Sequence, residues 1–301
     1  MTHSRPLAPG TWVEGKWTNR RWRIRGVLGT GANGVVYAVE RDDGLQGAMK
    51  VCETAGQVAF EWSLLNLVRG PGSPFPAPQQ IDDSNRAGAR FFYVMERISG
   101  KPLDKVWPAL APAMRKQVMI RIVEGLAKLH ATGHAFCDVK PQNVLVQEAS
   151  GEVRFVDPGG VTPFGKAVRQ FTPTTDGAFF GLCDRRASAA YDVIALALMA
   201  VSLEVPSPAN LYHLPPEKRR EWLLRAVADQ VDGAWRPVWH RVLRREIRDA
   251  EALRAAVAEV RVKEKVKQGG GHDWTAAFMW ASIACAVLTT ACAWALYLRI
   301  F

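Results

Sequence analysis

The sequence predicts an α+β fold followed by one membrane-spanning helix, and three observations lead there. Short β-branched and aromatic runs crowd the front of the chain, while long apolar stretches with helical spacing fill the back. Residues 274–298 then form 25 consecutive positions without a charged side chain. Strands gathered in one run and helices in another read as α+β rather than as alternating layers.

The elements follow in order. Trp22, Ile24, Val27 and Leu28 open an extended segment, and residues 35–39, 48–51 and 91–95 are short strand-type runs. One helix, residues 58–68, interrupts them. Residues 70–78 hold four prolines, which forbids regular ladders and predicts a connection. Met119, Ile122, Val123, Leu126 and Leu129 keep the 3.6-residue period of an amphipathic helix. Residues 144–146 and 153–156 read as strands. Residues 189–203 are apolar on nearly every face, which predicts a helix buried at the centre of a lobe. Residues 219–231, 237–247 and 250–266 read as further helices, and there is no internal repeat.

The formal net charge is +10, but residues 1–25 carry +5 of it and residues 241–267 carry +4. The body between them is nearly neutral, so a nucleic-acid face spread over the fold is not expected. An apolar content of 48% excludes wholesale disorder. Twenty-five helical residues extend about 37 Å at ~1.5 Å each, enough to cross a ~30 Å hydrocarbon core. Trp274 and Tyr297 stand at the ends of that stretch, where amphipathic rings favour the headgroup level. Arg261, Lys263, Lys265 and Lys267 precede it, and positive residues stay inside. The N-terminus has no run of signal-peptide type, so the body is expected in the cytoplasm, with a single-pass membrane anchor at its end. Five cysteines without paired spacings fit a reducing compartment. Ala277, Ala281 and Cys285 recur at every fourth position, a pattern compatible with a homodimer through the helix.

Chemistry first appears at Gly29-Thr30-Gly31-Ala32-Asn33-Gly34-Val35-Val36. A dinucleotide fold needs a helix to start there, but a strand follows. A glycine loop between antiparallel strands can instead close over a nucleotide, with little bulk between backbone and phosphates. Further along stand Ala48-Met49-Lys50-Val51, Tyr93-Val94-Met95-Glu96-Arg97, Asp138-Val139-Lys140-Pro141-Gln142-Asn143 and Val156-Asp157-Pro158-Gly159. In that order these segments resemble the eukaryotic-type (Hanks-type) Ser/Thr protein kinases, over roughly residues 22–260.

The resemblance implies a bilobal kinase fold with a β-rich lobe at about 22–96 and a helical lobe at about 97–262. Residues 1–21 would be a basic N-terminal segment and 263–273 a juxtamembrane stretch with a glycine hinge. Gly29, Gly31, Gly34 and Val36 would cover the nucleotide. Lys50 would bind the α- and β-phosphates, held by Glu61, with Glu53 as the rival partner. Met95 would be the gatekeeper, and the backbone of Glu96 and Arg97 would face the adenine. Asp138 would accept the proton of the substrate hydroxyl, and Lys140 would neutralise the moving phosphoryl group. Asn143 and Asp157 would ligate Mg²⁺. Asp192 would brace the catalytic loop. The cofactors implied are ATP and Mg²⁺ and the partner is a protein substrate. A pseudokinase or nucleotide-binding scaffold is the alternative, and a small-molecule phosphotransferase the second.

Four positions depart from the family pattern. Phe136 replaces a histidine, and Cys137 replaces the arginine that reads a phosphorylated activation segment. Pro158 replaces a phenylalanine and is expected to bias Asp157 towards extended backbone. Phe179 stands where the family has a glutamate. Since cysteine cannot pair with phosphate, alanine at Thr162, Thr172, Thr174 and Thr175 together is expected to leave transfer within a few-fold. Cys52 and Cys137 lie beside charged groups but read as small buried thiols, and His130 and His134 as packing and capping residues.

Overall fold

Six antiparallel strands and one helix build the first lobe of the computed structural model, which describes residues 6–31, 34–262, 279, 280, 282 and 290. The strands are β1 (Trp12–Glu14), β2 (Arg21–Gly31), β3 (Gly34–Arg41), β4 (Gln46–Cys52), β5 (Pro78–Asp83) and β6 (Phe91–Glu96). Their spatial order is β1-β2-β3-β4-β6-β5. Successive side chains of a strand point to opposite faces. Thus Trp22 and Ile24 of β2 are buried with Tyr37, Val39, Met49, Phe92 and Val94, while Arg21, Arg23 and Arg25 face solvent.

Two strands were not legible in the sequence. β1 lies within the stretch expected to be a separate basic segment, yet Val13 is buried and Trp12 pairs with Arg23, so residues 12–14 belong to the sheet. β5 starts on Pro78 at the sheet edge, where the missing N–H interrupts no ladder. The helix α1 (Ala55–Val68) begins at a capping box, Thr54 accepting from the Gln57 N–H and the Gln57 side chain accepting from the Thr54 N–H.

The second lobe contains α2 (Leu103–Val106), α3 (Pro112–His130), α4 (Ala189–Glu204), α5 (Pro216–Asp229), α6 (Arg236–Leu243) and α7 (Ala250–Ala258). Short strands β7 (Lys101–Pro102), β8 (His134–Ala135), β9 (Val144–Gln147), β10 (Glu152–Phe155) and β11 (Thr162–Pro163) lie on it. As the all-round apolar pattern predicts, every side chain from Tyr191 to Val201 of α4 is buried. Two helices end earlier than expected. α6 stops at Leu243 because Arg245 turns to φ 62°. α7 stops at Ala258, whose carbonyl takes a 2.7 Å hydrogen bond from Lys116 Nζ of α3, one of the open carbonyls of a helix end.

Contacts gather Met1–Lys263 into one unit and Glu264–Phe301 into another. Among the described residues no helix is long and apolar enough to cross a membrane. The span expected at 274–298 lies outside the described residues except at four positions.

Candidate active site

Between the lobes lies a cavity of about 510 Å³. Its roof is the β2–β3 hairpin, with Gly29 opposite Val36 and Gly31 opposite Gly34. Gly34 has φ +129°, and a Cβ there would come 2.0 Å from the Val51 carbonyl, so glycine is required. At Gly29 and Gly31 a Cβ would meet open space, so their glycines leave room in the cavity rather than relieve a clash. Met95, Glu96 and Ile98 line the inner edge.

At the hinge the Arg97 guanidinium reaches out to Gln46 Oε1 at 3.2 Å. The Glu96 N–H is spent on the Ala77 carbonyl at 2.8 Å, which leaves the Glu96 carbonyl and the next lining residue, Ile98, to meet a base. The Glu96 side chain joins the lobes instead, accepting from Arg154 of β10 at 3.0 and 2.8 Å. Arg154, helped by the Ala77 N–H and opposed by burial, holds that carboxyl below its ordinary value.

On one wall Lys50 Nζ lies 2.6 Å from Glu61 Oε2 and 3.2 Å from Asp157 Oδ1. Glu61 rather than Glu53 is therefore the partner, and Tyr93 Oη donates to the same Glu61 oxygen at 2.8 Å. Burial pulls the Lys50 pKa down, but Asp157 and Glu61 outweigh it and the net shift is upward, so the ammonium stays charged. The Cys52 thiol is pushed up to about 12 by burial and then by Glu61, which makes it inert.

Behind the other wall, which Lys140, Asn143 and Gln170 line, Asp138 is fully buried and crowded with donors. Lys140 Nζ donates to Oδ2 at 2.6 Å and Asn143 Nδ2 at 3.1 Å, while Thr172 Oγ1 donates to Oδ1 at 2.8 Å. Gln170 Nε2 reaches Oδ2 at 3.3 Å. Asn143 thus spends its amide nitrogen on Asp138, and its carbonyl oxygen is the group left for a cation. Asp157 carries the second oxygen donor. It adopts φ 56°, ψ 78°, not the extended backbone expected before Pro158. The pre-proline clash forbids right-handed helix geometry, and a short polar side chain tolerates the left-handed basin. The turn Pro158–Gly160 then passes so close to the catalytic loop that a Cβ on Gly160 would lie 2.7 Å from the Phe136 carbonyl.

The loop itself hangs from Asp192 of α4, as expected. The Phe136 and Cys137 N–H groups donate to its two oxygens at 2.7 and 2.8 Å, and His130 Nε2 lies 2.9 Å away. These bonds hold Cys137 at φ 65°, a strained position for a side-chain-bearing residue. Phe136 stacks on Phe155 at 5.1 Å and meets Phe75 edge-on at 5.2 Å, so the loop is also held by aromatic packing. Phe179 makes a cation–π contact with Arg219, whose guanidinium carbon lies 3.7 Å from the ring centroid.

The four threonines are not equivalent. Thr162 and Thr175 are buried and donate to the Gly160 and Thr172 carbonyls. Thr172 donates to the Asp138 carboxylate at 2.8 Å, a contact that the expectation for alanine at all four positions did not include. Thr172, Gln170, Tyr93 and His130 are the site residues that sequence reasoning missed. For Thr172 its place just before Pro173 was a signal; for Gln170 there was none.

Residues 22–178, just over half of the chain, match the protein kinase domain family. The chain belongs to the protein kinase family. This kinase domain is 32% identical over 201 residues to the serine/threonine-protein kinase YabT of Bacillus subtilis (strain 168), covering 65% of this chain and 59% of that protein. It is also 32% identical over 166 residues to the serine/threonine-protein kinase pkn2 of Myxococcus xanthus, covering 51% of this chain and 19% of that protein. The chain thus spans less than two thirds of the length of these relatives. In fold the kinase domain is similar to the structure of vaccinia related kinase 3, with a TM-score of 0.61 over 85% of this chain and 91% of that one at 14% identity.

Proposed function

We propose that this chain is a serine/threonine protein kinase that moves the γ-phosphoryl group of ATP to protein hydroxyls, held at a membrane by one C-terminal helix. The observation that carries the reading is that two charged clusters face one cavity. Lys50 and Asp157 line one side with Glu61 behind Lys50, and Lys140 and Asn143 line the other, both donating to the buried Asp138 carboxylate behind them.

Each residue has a task in that reading. Lys50 keeps its charge and binds phosphate oxygens under the glycine hairpin. Asp138 receives the hydroxyl proton as the acceptor oxygen attacks phosphorus, and Lys140 offsets charge on the moving phosphoryl group. Among the described residues no cluster of three or more His, Cys, Asp or Glu side chains could hold a metal. The Asn143 carbonyl and the Asp157 carboxylate suit Mg²⁺, which keeps waters and takes further oxygens from phosphates. When bound, Mg²⁺ supplies charge neutralisation across the phosphates. Lys140, two positions after Asp138, and the names of the similar proteins support protein hydroxyls over small molecules.

The uncharged stretch at 274–298 and the basic residues before it support the anchor, with the kinase domain on the cytoplasmic side and the small residues Ala277, Ala281 and Cys285 available for pairing two helices. Transfer of labelled phosphate from ATP and Mg²⁺ to a protein acceptor tests the activity, with Asp138→Asn as the control.

A further inference from the structure

Residues 164–188, which connect β11 to α4, carry the groups that meet the catalytic carboxylate. Thr172 and Gln170 both point to Asp138, at 2.8 and 3.3 Å. One position earlier, Arg169 turns the other way, its guanidinium carbon 4.6 Å from the ring centroid of Phe60 on α1. The next residue of α1 is Glu61, 2.6 Å from Lys50. A single contact therefore joins the stretch that touches Asp138 to the turn of α1 that sets Lys50.

The surroundings say what this contact replaces. Position 137 is cysteine and offers no cation to a phosphoryl group on the segment. The partner of Arg169 is the Phe60 ring rather than a carboxylate. Phe60 is 36% exposed, so its ring is not a core support of α1.

We propose that Arg169 and Phe60 are positioning residues of the phosphoryl-transfer reaction. Their cation–π contact holds the segment against α1, and so keeps Thr172 and Gln170 on Asp138 and Glu61 on Lys50 without a phosphoryl group on the segment. This rests on the kinase reading above.

The test uses the full-length protein in detergent micelles, with labelled ATP, Mg²⁺ and dephosphorylated casein. Wild type, Arg169→Ala, Phe60→Ala, the double variant and Phe60→Tyr are compared, and wild type is also measured after phosphatase treatment. Hydrogen exchange in residues 166–172 and in α1 is read in parallel. Each truncation is expected to lower kcat by roughly 2- to 30-fold, the range of such a contact from exposed to desolvated. KM for ATP should rise by no more than kcat falls, since Lys50, which the contact helps to hold through Glu61, also binds the phosphates in the ground state. The double variant should be no slower than the worse single, Phe60→Tyr should keep most of the rate, and phosphatase should change nothing. Both truncations should speed exchange in both segments. Additive losses, an effect on KM alone, or a large fall after phosphatase would overturn the proposal. If wild type transfers no phosphate, exchange decides: loosening of both segments by either truncation upholds the contact while the kinase reading fails, and loosening confined to the mutated element overturns it.

Discussion

Asp192→Asn removes a charge from the centre of the second lobe while keeping the volume of the side chain. In the native protein its two oxygens accept from the Phe136 and Cys137 N–H groups at 2.7 and 2.8 Å. Asparagine has one oxygen, so its amide nitrogen must face one of these donors. One hydrogen bond to an ionised acceptor is lost, worth about 1.5–3 kcal/mol, and one buried N–H is left unsatisfied at about 1–3 kcal/mol. Allowing for relaxation, we expect a loss of about 2–4 kcal/mol, a large fraction of the roughly 5–15 kcal/mol typical of a domain. The left-handed Cys137, which costs about 1–3 kcal/mol to hold, then loses its restraint, and Asp138 moves with it. A displacement on the order of 1 Å at a catalytic group costs about 10²-fold in rate. A urea titration should give a lower midpoint at unchanged slope, and phosphoryl transfer should fall in step under conditions where the variant is folded. A loss below about 1 kcal/mol together with full transfer would refute the reasoning, because an unpaired buried donor cannot be that cheap.

Three further predictions concern Thr172, the Glu96–Arg154 pair and the C-terminal stretch. Thr172→Ala should lower transfer by roughly 10- to 100-fold through loss of a hydrogen bond to the Asp138 carboxylate, whereas Thr174→Ala should stay within about twofold, as initial rates would reveal. Glu96 is held below its ordinary value of 4.5, first by Arg154, so its contribution to stability is complete above that value and fades as pH falls through the lowered one. Glu96→Gln should therefore cost about 1 kcal/mol near neutrality, a modest figure because solvent screens the pair, with the difference from wild type shrinking below about pH 4.5 in thermal melts. Deleting residues 274–301 should release the protein into the soluble fraction with its transfer activity intact; full-length protein that washes off membranes in carbonate would contradict the anchor.

What the sequence made legible was the chemistry carried by short contiguous segments. Lys50, Asp138, Asn143 and Asp157 sit in contiguous motifs that resemble the kinase pattern, whereas the choice of Glu61 over Glu53 needed α1, in which Glu61 lies about two turns from the start. The apolar run of α4 announced a buried helix because burial on all faces needs no partner to be recognised. β1 and β5 escaped because each is an edge strand whose pairing is decided by register with a neighbour, not by its own apolar pattern. Gln170 and Thr172 escaped for a related reason: they reach Asp138 across more than thirty residues of chain, through a segment with no periodicity to place it. The left-handed Asp157 shows a local rule that excluded one basin but left two open, with the contacts to Lys50 and the close turn at Gly160 choosing between them.

The central claim is that Asp138 and its neighbours transfer phosphate, and the direct measurement is label transfer from ATP by wild type and Asp138→Asn to the same acceptor. Wild type should label the acceptor in a Mg²⁺-dependent reaction. Asp138→Asn should be slower by ~10²- to 10⁴-fold, the range for loss of a general acid–base group, while still binding ATP through Lys50 and the glycine hairpin. Equal labelling by the two proteins would contradict the account.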